Sequence, residues 1–146
     1  MTMTTVERVV ALQRVGLFAD VPGRTLAAVA RHATEVDLDA GTPVIVEGAV
    51  EDHLFAVVRG QLRVHHGERS VTVLGAGATV GELAALVPEP RTASVTTLEP
   101  TTRLRIDKPI LDALLADRPA LASAVIAALV AMVRERTQTE ADSTSA

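Results

Sequence analysis

The chain has 146 residues, 48% of them hydrophobic and 22% charged, with a net charge of −4 and no cysteine. That length holds one domain with its own core, and the lack of cysteine removes disulfide frameworks and thiolate metal sites. An acidic chain whose only Phe, Tyr or Trp side chains are Phe18 and Phe55 offers neither a phosphate-backbone scaffold nor a base-stacking platform, so no nucleic-acid partner is expected.

The N-terminus "MTMTTVERVV" carries an acid at Glu7 and no long apolar core, so it does not read as a signal peptide. The longest apolar run, Ala120 to Val133, is too short for a bilayer. A cytoplasmic protein with no membrane partner is expected. Val6, Val9, Val10 and Leu12 at helical spacing predict a first helix over 4–15, ended by Gly16. A second is predicted over 22–32, with Asp20 as cap, Pro22 in its first turn, and Leu26, Val29 and Ala30 facing inward.

From 34 to 106 the texture changes to short β-branched runs separated by glycine-bearing turns at Gly41, Gly48, Gly60, Gly67, Gly75 and Gly77. This pattern predicts a compact antiparallel β-roll, jelly-roll-like, in a mainly β, α+β domain. A short helix is expected to interrupt it at Glu82 to Leu86. Two helices follow, at 107–116 and 119–136. The first has Asp107 as cap, Pro109 in its first turn, and Ile110, Leu111, Leu114 and Leu115 inward. The organisation is one domain over 1–136 and a disordered polar tail over 137–146.

The chemistry concentrates in "GELAALVPEPRTASV", residues 81–95. A helical turn starting near Glu82 leaves unpaired N–H groups, which favour an anion. Arg91 brings a guanidinium fork that matches two phosphate oxygens, and Glu82 is an acceptor suited to a sugar hydroxyl. One phosphate, one hydroxyl and apolar walls describe a nucleotide monophosphate of limited charge.

This stretch resembles the phosphate-binding cassette of cyclic-nucleotide-binding domains, the family shared by catabolite activator proteins, kinase regulatory subunits and cyclic-nucleotide-gated channels. The likeness extends through "VGLFADVPGRTLAAVARHATEVDLDAGTPVIVEGAVEDHLFAVVRGQLRV", "VLGAGATVGEL" and "TTRLRIDKPILDALLADRP". It implies a non-enzymatic sensor of cAMP or cGMP without cofactor. Arg91 would clamp the cyclic phosphate and Glu82 would accept the ribose 2′-hydroxyl. Gly81, Leu83 and Ala84 would give backbone contacts, Thr92 and Ala93 further donors, and Val64, Thr72 and Val80 would line the base and sugar pocket. The chain departs from the family at Val80, where an aromatic is usual, and at Pro88 in the inner loop.

Three other readings stand beside this one. Glu82 and Arg91 could be a structural ion pair. The domain could be a ligand-free interaction module of the same fold. A cupin-like metal enzyme would need converging His and carboxylate ligands, which His65 and His66, adjacent on a strand, and His32 and His53 do not supply by spacing. The apolar final helix points to a partner: Leu121, Val125 and Leu129 would face the roll. Ile126, Val130 and Val133 would face another protein or a second copy of this chain.

Overall fold

In the computed structural model the backbone is described for residues 2–144 and the side chains for residues 2–140. Helix α1, Thr5–Leu12, begins with a reciprocal cap. The Thr4 hydroxyl accepts from the Glu7 amide at 3.1 Å, and the Glu7 carboxylate accepts from the Thr4 amide at 3.2 Å. The expected helix to residue 15 stops short, because the amides of Arg14 and Val15 bond to Ala11 and Leu12 in tightening turns. Gly16–Phe18 then form a 3-10 turn that buries Leu17 and Phe18 completely.

Helix α2, Gly23–His32, has Pro22 at its N-cap with no side-chain cap, so Asp20 does not take the capping role. Proline suits that entry because its missing N–H would be an orphan there in any case. Leu26, Val29 and Ala30 are fully buried, the face that the apolar spacing assigns to the core.

Among the described residues ten strands follow: β1 Thr34–Leu38, β2 Pro43–Ile45, β3 Val50–Glu51, β4 His53–Arg59, β5 Leu62–His66, β6 Arg69–Leu74, β7 Thr79–Val80, β8 Glu89–Pro90, β9 Ser94–Thr97 and β10 Thr101–Asp107. All the pairings are antiparallel. One four-stranded sheet runs β1-β10-β4-β7, a second runs β2-β9-β5-β6, and β3 pairs with β8. The architecture is the expected β-roll flanked by two helices on each side in sequence.

Strand β4 is buried on both faces, and its alternation separates two cores. Leu54 and Ala56 join Leu104 and Ile106 of β10 under the helices, with Leu12, Leu17, Phe18, Leu26 and Leu121. Phe55 and Val57 point into the roll with Ile45, Leu62 and Val95, and Val64 and Val80 pack against them. Each fully buried large side chain contributes about 1.5–3 kcal/mol of apolar transfer, so the helices are part of the fold rather than appendages.

Helix α3, Lys108–Asp117, buries Leu111 and Leu114. Ile110, expected inward, is 38% exposed. One residue from Leu111 on a helix, it turns about 100° away from the core. Asp107 occupies the N-cap position, but its carboxylate accepts from Arg105 Nε at 2.6 Å instead of capping the helix.

Helix α4, Pro119–Thr144, turns from α3 by 114°. It corrects the expected end at Arg136: residues 137–144, read from sequence as a disordered tail, continue the helix. No glycine or proline follows Pro119 to stop it, and the Thr139 hydroxyl donates back to the Glu135 carbonyl at 2.9 Å. The rest of the expected tail, residues 145 and 146, lies outside the described residues. Among the described residues no single helix is long and apolar enough to cross a membrane.

Candidate functional site

The pairing of β7 with β4 sets Val80 opposite Phe55 and delivers the chain to Gly81 at the mouth of the roll. Gly81 has φ +81°, and a Cβ there would run into the His53 carbonyl and meet an Arg91 nitrogen at 2.7 Å. Only glycine fits that approach. The helix expected from Glu82 to Leu86 is a hydrogen-bonded turn, with Ala85 N–H donating to the Gly81 carbonyl at 3.0 Å and Val87 N–H to Leu83 at 2.9 Å. Pro88 ends it, since the residue before a proline is pushed out of helical backbone. The turn buries Ala84 and Ala85 and leaves Leu83 48% exposed.

The chain returns through β8 and is fixed on both sides of Arg91. The Arg91 amide donates to Ala49 O and the Arg91 carbonyl accepts from Gly48 N, each at 2.9 Å. A cavity of about 350 Å³ opens between the two arms, lined by Gly81, Glu82, Leu83, Ala84, Glu89, Pro90, Arg91 and Thr92. Six of the ten residues singled out in the sequence therefore share one cavity. Ala93 is not part of its lining. Val64 and Val80 pack on the roll-interior core, and Thr72, opposite Val64 on β6, is exposed.

Glu82 and Arg91 do not pair with each other. Both hydrogen bonds to Glu82 end on Oε1, from the Thr79 hydroxyl at 2.6 Å and the Gly16 amide at 2.9 Å. Arg91 Nη2 donates to the His53 carbonyl at 3.0 Å. Burial lowers the Arg91 pKa from its ordinary value, opposed by Glu51 and Glu89. The acid and the base are thus separately anchored on one cavity.

Behind Arg91 lies a feature that residue-by-residue reading of the sequence missed. His53 is 2% exposed and Arg103 is 7% exposed. The His53 ring stacks on Phe55 with centroids 6.0 Å apart, and the Arg103 guanidinium lies 5.0 Å from the same ring. Among the described residues, every buried side-chain polar atom without a hydrogen-bond partner belongs to His53, Arg91 or Arg103. Burial, followed by the charges of Arg105, Arg103 and Arg91, pushes the His53 pKa down to about 4, with Asp107 opposing. His53 is therefore neutral at pH 7, and its 3.6 Å approach to Glu51 is not then an ion pair. The signal was present in "TTRLRI": alternation puts Leu104 and Ile106 on one face of β10 and therefore Arg103 and Arg105 on the other.

The two histidines of β5 have local partners. His65 Nδ1 lies 2.7 Å from the Gly67 carbonyl and Nε2 lies 2.8 Å from Thr96 Oγ1, while His66 Nδ1 lies 3.2 Å from Glu47. Among the described residues no three His, Asp or Glu side chains gather where they could hold a metal ion.

Comparison with known proteins bears on the same region. Over 136 residues the chain is 29% identical to the CRP-like cAMP-activated global transcriptional regulator of Mycobacterium tuberculosis, covering 90% of this chain and 61% of that protein. The chain thus spans less than two thirds of that relative's length. Among solved structures it resembles the N-terminal domain of a transcriptional regulator from Streptomyces coelicolor A3(2), with TM-score 0.81 and 29% identity over 88% of this chain and 93% of that one. It also resembles the regulatory domain of Toxoplasma gondii PKA in co-crystals with cAMP, with TM-score 0.68 and 29% identity over 75% of this chain and 44% of that one. Two of these relatives are transcriptional regulators by name, so the expectation of no nucleic-acid partner, drawn from net charge, finds no support among them. The family model of the cyclic nucleotide-binding domain matches residues 35–118, which is more than half of the chain and holds the whole cavity, and the chain belongs to that family.

Proposed function

We propose that this domain is a non-enzymatic sensor that binds cAMP or cGMP, with the cyclic phosphate on Arg91 and the ribose 2′-hydroxyl on Glu82. The observation that carries the reading is the convergence of Glu82 and Arg91 on one 350 Å³ cavity without any bond between them. A guanidinium with its backbone held on both sides is preorganised for two phosphate oxygens, and an acceptor-only carboxylate selects a hydroxyl. Of the cavity's remaining lining, Leu83, Ala84 and Pro90 are apolar and Glu89 adds a second acid, which together suit a ligand of low negative charge.

Helix α4 is the proposed output. It buries Leu121 and Val125 against the body of the domain. Ile126, Val130 and Val133 are 62%, 44% and 65% exposed on another side. A stripe of that kind calls for cover, and a second copy of α4 or an effector protein would provide it. No cofactor or metal enters this account.

The test is thermal unfolding with and without ligand. At cAMP or cGMP concentrations about a hundredfold above Kd, linkage adds ~2.7 kcal/mol, which raises the melting temperature by several degrees in a domain of this size. A folded sample whose melting temperature ignores both nucleotides at millimolar concentration would refute the sensor reading.

A further inference from the structure

Resting on that reading of Glu82, we propose that the Thr79 hydroxyl and the Gly16 amide are positioning groups that aim the Glu82 carboxylate, and so set the preference of the pocket for a ribose over a deoxyribose nucleotide. A glutamate side chain has three rotatable bonds, and one facing a cavity gains little specificity unless it is held. Here it is held at one oxygen. Thr79 Oγ1 donates to Oε1 at 2.6 Å, the short distance of a hydroxyl bound to a carboxylate, and Gly16 N–H donates to the same atom at 2.9 Å. Oε2 takes neither bond and, on this proposal, is the oxygen that a ligand hydroxyl would meet.

Both donors are anchored by the fold. Thr79 lies on β7, in register with Ala56 of β4, and the preceding Ala78 and Gly77 are tied to β4 through Val57. Gly16 opens the 3-10 turn whose next two residues, Leu17 and Phe18, are fully buried in the helix-side core. The sugar-reading acid is thus supported from the sheet on one side and from the N-terminal turn on the other.

The space beside Gly16 is taken up by the ends of two side chains. A Cβ would lie 2.9 Å from Glu82 Oε2 and 2.9 Å from Met132 Cε of α4. Both atoms are the far ends of flexible side chains, so a larger residue displaces the carboxylate or the methionine tip rather than backbone. The backbone at Gly16 is not in the left-handed region, so a substitution there acts through this contact and not through strain.

The experiment measures affinity for cAMP and cGMP and for their 2′-deoxy counterparts, in the full chain and in Thr79→Val, Thr79→Ser and Gly16→Ala. Valine keeps the shape of threonine and removes the donor. The parent is expected to prefer the ribose nucleotide, Thr79→Val to lose about three- to tenfold of that preference with its 2′-deoxy affinity unchanged, and Thr79→Ser to restore it. A purely structural hydrogen bond would weaken ribose and deoxyribose ligands together, so an unchanged ratio in a folded Thr79→Val overturns the proposal. Should that variant fail to fold, Gly16→Ala carries the same comparison, since its methyl group reaches the same carboxylate, and an unchanged ratio there overturns it equally. A parent that binds neither nucleotide removes the sensor reading itself. A parent that binds ribose and deoxyribose forms alike removes the role of Glu82 and this proposal, while leaving Arg91 as the phosphate group.

Discussion

Acid should unfold this domain earlier than its carboxylates alone would, because His53 cannot accept a proton in place. The ring is 2% exposed, and burial together with the charges of Arg105, Arg103 and Arg91 holds its pKa at about 4 against an ordinary 6.5. A depressed folded-state pKa means that, between those values, the unfolded chain binds a proton that the folded chain refuses. The stability is present in full above pH 6.5 and is lost as pH falls towards 4. The drop corresponds to about 3 kcal/mol, a large part of the ~5–15 kcal/mol that holds a domain together. Urea unfolding of the parent and of His53→Gln, at steps from pH 7 to pH 4, reads this directly. Carboxylates titrate in both proteins, so the difference between the two curves isolates the histidine. The parent should lose about 3 kcal/mol more than the variant across the window. Parallel curves would refute the buried, charge-repelled environment assigned to His53.

Gly81→Ala should cost about 1–2 kcal/mol for left-handed backbone alone, and several degrees of melting temperature, because the new Cβ meets the His53 carbonyl and the Arg91 guanidinium. Calorimetric melting checks it, and an unchanged melting temperature would refute the close approach. Arg91→Ala should weaken cyclic-nucleotide binding by about ten- to hundredfold, the loss of a charge-assisted bidentate contact, while Glu82→Gln should cost less; equal binding by parent and Arg91→Ala would move the phosphate elsewhere. Ile126→Glu together with Val130→Glu should abolish a dimer built on α4, read by light scattering, and a parent that stays monomeric at high concentration would remove the second copy as the cover for that stripe.

Much of the fold was legible because apolar spacing and turn residues are local signals. The inner face of α2, the run of short strands with glycines between, and the two sides of α4 follow from period and punctuation. The misses were failures of context. Ile110 looks like core by composition and sits one residue off the buried face of α3. Residues 137–144 look like a tail by polarity, but nothing in them breaks a helix already under way. Glu82 to Leu86 has helical composition and is cut to one turn by Pro88.

In the site, residues close in sequence were readable and residues distant in sequence were not. Gly81 to Ala84, Arg91 and Thr92 share one short motif and one cavity. The partners that anchor them, Gly16 sixty-six residues before Glu82 and His53 thirty-eight before Arg91, are brought in by the fold, and no spacing rule connects them.

Titration calorimetry of the full chain with cAMP, cGMP and AMP, repeated on Arg91→Ala, asks whether the cavity at Glu82 and Arg91 is a cyclic-nucleotide site. A cyclic nucleotide is expected to bind at one site per chain and AMP more weakly, with the heat lost or sharply reduced in Arg91→Ala. A folded parent that gives no binding heat and no shift in melting temperature with either cyclic nucleotide at millimolar concentration would contradict it.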